Sequence, residues 1–303
     1  MIQNLIAKML PHMPKKLVWI FSKRYIAGET IEDGLKAARK LNEENILVTI
    51  DLLGEFITNL SEAEENKEMY LKIVDRFTSE NIQGSFSIKP TFFGLLLDKE
   101  KCYQNIREVV KLAAEKNNFI RIDMEDSQCV DDEWDIYKKL KNEFPGHVGL
   151  VLQAYLRRTL PDLRGLNGSV TKENPYNFRL CKGIYVEPED IAYKGFQEVR
   201  DHYLADLEYM LTHHMYVGIA THDEYLVDGS IEIIKKHNIP QSQFEFQMLY
   251  GVTPDLRKKI VNAGYKMRVY VPFGKDWFGY STRRLKENPK MVNDIVKALF
   301  IRG

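Results

Sequence analysis

The stretch that decides the fold reads Ile46-Leu-Val-Thr-Ile-Asp-Leu-Leu53, and a Glu- and Lys-rich segment follows it from Ser61 to Glu80. The first part is short, apolar and rich in β-branched residues, which is typical of a buried strand. The second part has the length and composition of a surface helix. The two parts together predict a strand followed by a helix, the unit from which parallel sheets are built.

The same unit recurs through the rest of the chain. Further strands are expected at 85–90, 119–124, 148–155, 177–182, 216–222, 244–249 and 267–272. Further helices are expected at 101–117, 131–142, 188–213, 225–237 and 254–263, with a short irregular helical connection through Pro161. Eight units without a Pro-, Ser- or Gly-rich linker predict one (β/α)8 TIM-like barrel over residues 45–303, with residues 1–44 as an N-terminal helical arm.

Charge and cysteine content exclude several classes of protein. The 43 basic and 43 acidic side chains balance, so no overall field favours nucleic acid. Cys102, Cys129 and Cys181 form no CxxC pair, which argues against a disulfide framework or a zinc site and for a reducing compartment. The apolar stretches within residues 1–26 are too short to cross a bilayer. We therefore expect a cytoplasmic protein whose arm packs on the barrel, with contact to a membrane or partner surface as the alternative.

Polar side chains end almost every predicted strand. Reactive residues of (β/α)8 barrels lie at these ends and in the loops that follow. Strands without a function usually end in turn-forming residues such as Asn, Ser or Gly. Here the ends carry Asp51, Lys89, Asp123, Gln153, Tyr155, Arg179, Lys182, Thr221, His222, Gln247 and Tyr270. We therefore expect a polar pocket at the barrel mouth.

Each of these residues also has a purely structural interpretation. Asp123 could cap a loop, Lys89 could be a solvated strand end, and Thr221 could cap a helix. Asp123, Glu125 and Asp126 could bind a divalent cation. No other carboxylate or histidine group has matching spacing, so no metal is expected.

The segment Tyr280-Ser-Thr-Arg-Arg-Leu-Lys-Glu-Asn288 follows the last strand. If it is helical, Tyr280, Arg283, Arg284 and Glu287 share one face. Two adjacent guanidiniums form a planar fork suited to a carboxylate or phosphate. A solvated charged face is the ordinary interpretation, but the position after the eighth strand favours a lid over the barrel mouth.

The predicted mouth has an excess of positive charge. Lys89, Arg179 and Lys182 would join the arginine pair there, which favours an anionic ligand such as a small carboxylate with a phosphate-bearing cofactor. The chain contains neither GxGxxG nor GxxxxGK[ST], so the barrel mouth itself would have to hold any dinucleotide.

Ten motifs occur in order along nearly the whole chain, mostly at the strand ends. They are RYIAGET (24–30), DLLGE (51–55), SIKP (87–90), IDMED (122–126), QAYLRRT (153–159), RLCKGIY (179–185), ATHD (220–223), FEFQMLYG (244–251), RVYVPFG (268–274) and YSTRRLKEN (280–288). In these motifs the chain resembles the flavin-dependent proline dehydrogenases, in their monofunctional bacterial form.

The resemblance implies a (β/α)8 barrel with FAD across the strand C-termini. It implies oxidation of L-proline to Δ1-pyrroline-5-carboxylate by hydride transfer to flavin N5, the first step of proline catabolism to glutamate. Electrons would pass to a membrane quinone. Whether the protein contacts the inner face of the membrane is an open question, and so is its oligomeric state.

The resemblance also implies roles for individual residues. The catalytic positions are Asp123 and Arg179, with Arg179 beside flavin N5. The carboxylate of proline would be bound by Lys89, Arg283 and Arg284, and its ring would be surrounded by Leu249, Tyr270 and Tyr280. Cofactor contacts are implied at Met124, Gln153, Arg179, Cys181, Lys182, Gly183, Thr221, His222 and Gln247.

The chain departs from the family pattern at two places on the edge of the implied flavin site. Many relatives have Trp-Asp where this chain has Val186-Glu187, and Asn where it has Asp223.

Two other functions are compatible with the same residues. A Schiff-base lyase or aldolase acting on a small carboxylate would use Lys89 or Lys182 as its nucleophile. A non-catalytic binding barrel is the third hypothesis.

Overall fold

The eight strands close into one parallel barrel in the computed structural model, which describes residues 18–19, 22–166 and 168–281. Each strand pairs in parallel with its neighbours in the chain, and the last pairs with the first, with Thr49 opposite Tyr270. The strands are β1 (Leu47–Leu52), β2 (Gly84–Ile88), β3 (Ile120–Ile122), β4 (Val148–Gln153), β5 (Asn177–Cys181), β6 (Tyr216–Ala220), β7 (Phe244–Leu249) and β8 (Met267–Phe273). The predicted (β/α)8 fold is confirmed.

Helices connect the strands and surround the barrel. They are α1 (Ile31–Glu43), α2 (Leu60–Ser79), α3 (Lys99–Glu115), α4 (Val130–Glu143), α5 (Thr159–Gly165), α6 (Phe196–Thr212), α7 (Glu224–Lys236) and α8 (Pro254–Asn262). Short 3-10 helices lie at Pro90–Phe93 and Gln241–Gln243. Among the described residues, no helix is both long and apolar enough to span a membrane.

Local capping explains where several helices begin. At α1 the Thr30 hydroxyl accepts a hydrogen bond from the Asp33 backbone, and the Asp33 carboxylate accepts one from the Thr30 backbone. The Asn59 side chain caps α2, and the Asp98 side chain caps α3. Each cap satisfies a backbone N–H that has no partner within its helix.

The predicted helix at 188–213 was wrong over residues 188–195. The helix α6 begins at Phe196, because the preceding segment pairs with the loop after β4. Ala192 forms an antiparallel bridge with Leu156, and the Tyr193 backbone N–H donates to the Tyr155 carbonyl at 2.8 Å. These long-range bonds hold the segment, which begins with a hydrogen-bonded turn at Pro188, against the loop after β4.

The apolar core lies between the barrel and its helices. Val48 and Ile50 of β1, with Phe86 of β2, belong to the same buried cluster as Leu35 and Val74 of the helices. Because strand side chains alternate between the two faces of a sheet, the residues between these point into the barrel. Burial of this outer face therefore stabilises the fold without filling the barrel interior.

The interior is polar. Arg268 on β8 donates to Ser85 on β2 at 3.2 Å, and Arg179 on β5 donates to Gln247 on β7 at 2.5 Å. Most (β/α)8 barrels fill this space with branched apolar side chains. The long polar side chains fit because two strands carry glycine at inward positions. A Cβ at Gly149 would lie 2.3 Å from Arg121 Nη1, and one at Gly218 would lie 2.3 Å from Gln247 Nε2.

Gly149→Ala tests whether the glycine provides this space. We expect the variant to lower the free energy of unfolding by about 1–3 kcal/mol, because its methyl group meets the Asn177 carbonyl at 2.6 Å as well as Arg121. Urea unfolding measures the difference. Gly165→Ala is the matched control, since no atom lies within 4 Å of its added Cβ. Equal stability of the two variants would contradict the packing argument.

Candidate active site

The Asp123 carboxylate accepts hydrogen bonds from three surrounding strands. Ser87 Oγ lies 2.5 Å from Oδ1, and Arg179 Nη1 lies 2.9 Å from the same oxygen. The Tyr270 hydroxyl donates to Oδ2 at 2.8 Å. Asp123 directly follows β3, so the parallel barrel brings β2, β5 and β8 around it. The donors fix the carboxylate in one orientation at the mouth.

Lys89 connects Asp123 to a second carboxylate. Its Nζ lies 2.8 Å from Asp51 Oδ1 and 3.6 Å from Asp123 Oδ2. The same nitrogen lies 3.3 Å from the Tyr270 hydroxyl. Asp51 is 1% exposed, so this ion pair is largely removed from solvent.

The environment separates the pKa values of the two carboxylates. Burial favours the neutral form of Asp123, but Lys89 and then Arg179 outweigh it and place its pKa below the usual range. Burial dominates at Asp51 and raises its pKa to about 6, although Lys89 opposes the rise. Burial alone would lower the pKa of Lys89. Electrostatic attraction to Asp51, Tyr270 and Asp123 outweighs burial and raises this pKa well above its usual value. At neutral pH Asp123 is therefore ionised and Lys89 is protonated.

Arg179 is held inside the barrel below Asp123. It is 7% exposed. Its Nε donates to Gln247 at 2.5 Å, and its Cζ lies 5.2 Å from the centre of the Tyr270 ring. These contacts fix the direction of the guanidinium, so its charge is preorganised.

Gln153, at the end of β4, has one side-chain atom bonded and one without a partner among the described residues. Its Nε2 donates to the Glu125 carbonyl at 2.8 Å. Its Oε1 is buried and has no hydrogen-bond partner among the described residues. A buried acceptor without a donor is costly unless something else satisfies it.

Gly183 shapes the loop after β5. Its φ is +109°, and a Cβ there would lie 2.1 Å from the Tyr155 ring. Only glycine fits this close approach, so the backbone at Gly183 lies directly against the Tyr155 ring.

Lys182 is engaged in a surface-facing ion-pair network. Its Nζ lies 2.9 Å from Asp223 Oδ2, and Arg200 Nη2 lies 2.7 Å from Asp223 Oδ1. Burial opposes ionisation of Asp223, but Arg200 and Lys182 lower its pKa to about 2. Lys89 and Lys182 are both paired with carboxylates, whereas a Schiff-base nucleophile must be a neutral amine.

His222 and Thr221 support neighbouring backbone. The Leu249 backbone N–H donates to His222 Nε2 at 2.8 Å. This contact places the proton of a neutral imidazole on Nδ1. Thr221 Oγ1 accepts from the Asp223 backbone at 3.1 Å.

The structure gathers most of the sequence-predicted residues at one end of the barrel. Lys89, Asp123, Arg179, Gln247 and Tyr270 form one hydrogen-bonded group. The other described candidates lie on the surrounding strand ends and loops: Met124, Gln153, Cys181, Lys182, Gly183, Thr221, His222 and Leu249. Tyr280 is buried in the segment after β8. Arg283, Arg284 and Glu287 lie outside the described residues.

The acidic cluster after β3 has no metal-binding geometry. The Glu125 carboxylate points away from Asp123 and accepts from the Thr91 hydroxyl and backbone N–H, at 2.5 and 2.8 Å. Asp126 is not part of a ligand set, since the described part of the chain contains no group of three or more His, Cys, Asp or Glu suited to a metal ion.

Sequence reasoning missed Ser87, which lies within the SIKP motif. It donates to Asp123 and accepts from Arg179 Nη1 at 3.3 Å. The alternation of Ser85 and Ser87 with apolar residues in β2 is the signal that could have identified it, because it places both serines inside the barrel.

The fold and the polar mouth define an enzyme of the (β/α)8 class that places its reactive side chains at the strand C-termini. Comparison with known proteins identifies the family. The sequence pattern of the proline dehydrogenase family matches residues 34–297. Proline dehydrogenase 1 of Bacillus subtilis is 34% identical over 92% of this chain and 90% of that protein. The chain belongs to the proline dehydrogenase family.

Two further relatives support this assignment. The proline dehydrogenase of Deinococcus radiodurans is 34% identical over 95% of this chain and 92% of its own length. The crystal structure of proline utilization A from Bdellovibrio bacteriovorus, inactivated by N-propargylglycine, superimposes with a TM-score of 0.85 at 27% identity. It matches 91% of this chain, which spans only 33% of that longer protein.

The Lys89–Asp51 pair can be tested by a double-mutant cycle. We expect Lys89→Met to lower the free energy of unfolding by about 3–5 kcal/mol, because the buried Asp51 loses its cation and Asp123 keeps only Arg179. Adding Asp51→Asn should recover part of this loss, so the double variant loses less than the sum of the single ones. Urea unfolding of the four proteins gives the coupling energy.

The control for this cycle is the half-exposed pair formed by Arg107 and Glu143. Arg107→Met and Glu143→Gln should show a much smaller coupling, because solvent screens both charges. If the coupling between Lys89 and Asp51 is no larger than that between Arg107 and Glu143, the buried Asp51 carboxylate does not depend on the lysine.

Proposed function

We propose that this protein oxidises L-proline to Δ1-pyrroline-5-carboxylate, with FAD as its bound cofactor and a quinone as the electron acceptor. This reaction is the first step of proline catabolism to glutamate, and we propose that it takes place in the cytoplasm. Family membership supports the substrate. The observation that carries the proposal is the Asp123 carboxylate held by Ser87, Arg179 and Tyr270 beside a protonated Lys89.

The charges at the mouth match the two charged ends of an amino acid. Lys89 is a protonated donor that could bind the proline carboxylate, as Arg283 and Arg284 are also proposed to do. Asp123 is ionised at neutral pH and could face the ring nitrogen. Leu249, Tyr270 and Tyr280 are proposed to surround the ring. Opposite charges at fixed positions would orient the substrate before reaction.

Asp123 is also suited to the change of charge during the reaction. Once the ring nitrogen has released its proton to solvent, loss of a hydride from the adjacent carbon leaves positive charge shared with that nitrogen. A fixed carboxylate stabilises such charge more than flexible water does, because its orientation is already set. The low pKa of Asp123 keeps it ionised while this charge develops.

The residues at the mouth fit a flavin. The unsatisfied Gln153 Oε1 can accept from a ring N–H, and the Gly183 backbone lacks a side chain in the loop that follows β5. A bound flavin would supply the acceptor for the hydride. Arg179 holds a buried positive charge that favours electron gain by a cofactor at the mouth. The remaining proposed contacts are Met124, Cys181, Lys182, Thr221, His222 and Gln247.

Apolar side chains on the loop after β5 support a lipophilic acceptor. Val186 is fully exposed, and Ile184 and Phe196 are 39% and 65% exposed. They follow Gly183, one of the proposed cofactor contacts, in the chain. Exposed apolar surface of this kind is typical of an interaction site.

The purified protein should therefore be yellow, and anaerobic L-proline should bleach its flavin absorbance. Asp123→Asn should retain flavin but lower kcat/KM for proline by about 100-fold or more. Gln153→Leu should lower the flavin content per protein chain. The matched control is Gln104→Leu on the exposed face of α3, which should change neither quantity.

The same material separates the other hypotheses. A colourless protein that borohydride traps with a carbonyl substrate would establish a Schiff-base lyase instead. A colourless protein that is inert to both treatments would favour a binding barrel. Bleaching that is unaffected by Asp123→Asn would show that the reaction is correct and the role of Asp123 wrong.

The electron acceptor has its own test. We expect Val186→Ser to lower turnover with a soluble ubiquinone analogue several-fold, because apolar contact area is lost. Anaerobic reduction by proline should be unchanged, since Val186 faces solvent. Leu96→Ser is the control, because Leu96 is an exposed apolar side chain far from this loop in the sequence. Equal turnover of both variants with the quinone would contradict the proposed contact.

A further inference from the structure

A second polar cavity enters the barrel from the end opposite the mouth. Its volume is about 410 Å³. Gln83, Asn118 and His147, which precede β2, β3 and β4, form part of its wall. Arg121 and Asn177 line it within the barrel. None of these five residues belongs to the proposed proline or cofactor site.

Arg121 is the unusual group in this cavity. It is 4% exposed, and all of its hydrogen-bond acceptors are neutral. Its Nη1 donates to the carbonyls of Asn177 and Leu150 at 2.8 and 3.2 Å, and its Nη2 donates to Asn177 Oδ1 at 2.5 Å. Among the described residues, no carboxylate lies within ion-pair distance of Arg121.

The two other arginines that line the cavity do have carboxylate partners. Arg268 pairs with Glu245, and Arg179 pairs with Asp123. Asp123 also faces Lys89, which pairs with Asp51. In the described barrel interior, these four cationic side chains therefore face three carboxylates, which leaves one positive charge without a carboxylate partner. Arginine stays protonated at neutral pH, and a buried charge without a counterion is costly.

The electrostatic setting of Arg121 agrees with this charge balance. Burial, and then repulsion from Arg179, lowers the pKa of Arg121 to about 9. A bound negative charge would oppose both effects. Asn177, the first residue of β5, accepts two hydrogen bonds from the Arg121 guanidinium, so the positive charge is held at a fixed position in the cavity.

We propose that this cavity binds one small monovalent anion, a halide or a short carboxylate, through the guanidinium of Arg121. One anion balances the one uncompensated charge. The cavity is larger than such an ion, and its amide-rich wall suits the water molecules that would accompany it. The anion would stabilise the end of the barrel opposite the mouth, because it would reduce the electrostatic repulsion between Arg121 and Arg179.

Asn177→Asp tests the proposal by supplying a permanent counterion. The substitution changes the shape of the side chain very little, and Asn177 Oδ1 already accepts from Arg121. In the wild-type holoenzyme, we expect chloride or acetate to raise Tm by about 5 °C at a concentration a hundredfold above the dissociation constant. The variant should start at a higher Tm without added salt and should not respond to either anion.

Asn59→Asp is the matched control for the added charge. Asn59 is exposed, it lies in the loop that follows β1, and aspartate retains the cap on Ser61. This control should respond to both anions as the wild type does. Because all three proteins are compared in the same salts, general effects of ionic strength and of anion type cancel.

Isothermal titration calorimetry of the wild-type holoenzyme gives a second, independent measurement. Chloride and acetate titrations should each saturate at one anion per chain, and competition between them shows whether the halide or the carboxylate binds more tightly. Absence of saturable binding overturns the proposal, even if Asn177→Asp does not fold. An equal Tm response in all three proteins also overturns it.

Discussion

The guanidinium of Arg179 is the interaction on which the arrangement at the barrel mouth depends. From β5 it reaches Gln247 on β7, Ser87 on β2 and Asp123 after β3. One planar group therefore sets the relative positions of side chains from three other strands. A shorter side chain could not span the barrel, and a lysine could not donate in several fixed directions at once.

The barrel can have a polar interior because the stability of the fold comes from the apolar layer between the strands and the helices. Outward side chains such as Val48, Phe86 and Ile122 are at most 1% exposed and pack against the helices. Burial of this layer provides the main hydrophobic driving force. Buried charges add little net stability and are kept for position and reactivity. The outward side chains of the strands thus stabilise the fold, and the inward side chains form the polar sites.

The sequence predicts the strands well and the interior contacts poorly, for one physical reason. Strands are local, and the apolar run Ile46–Leu53 is sufficient to identify β1. The contacts inside the barrel are between distant residues: Arg179 and Asp123 are 56 positions apart, and Arg268 donates to the Val48 carbonyl 220 positions away. Strand ends could be predicted to converge, but the particular partner of each side chain could not. The non-helical segment 188–195 was missed for the same reason, since its bridge from Ala192 to Leu156 has no local signal.

Ser87 and Arg121 show where closer attention to alternation would have helped. Both are single polar residues between apolar neighbours, and a buried parallel strand tolerates such residues only where they face a polar interior. Ser87 points to the Asp123 group, while Arg121 lies deeper, with amide and carbonyl acceptors only. The same pattern therefore marks a residue of the proposed active site and one of the opposite cavity. Ser87 and Arg121 are register partners on β2 and β3, so position along the strand does not separate them. The direction in which the side chain reaches does: the Ser87 hydroxyl meets Asp123 just after the end of β3, whereas the Arg121 guanidinium reaches Asn177, the first residue of β5. In a barrel with a polar interior, the partner of an inward side chain therefore indicates its role, and periodicity alone does not provide that partner.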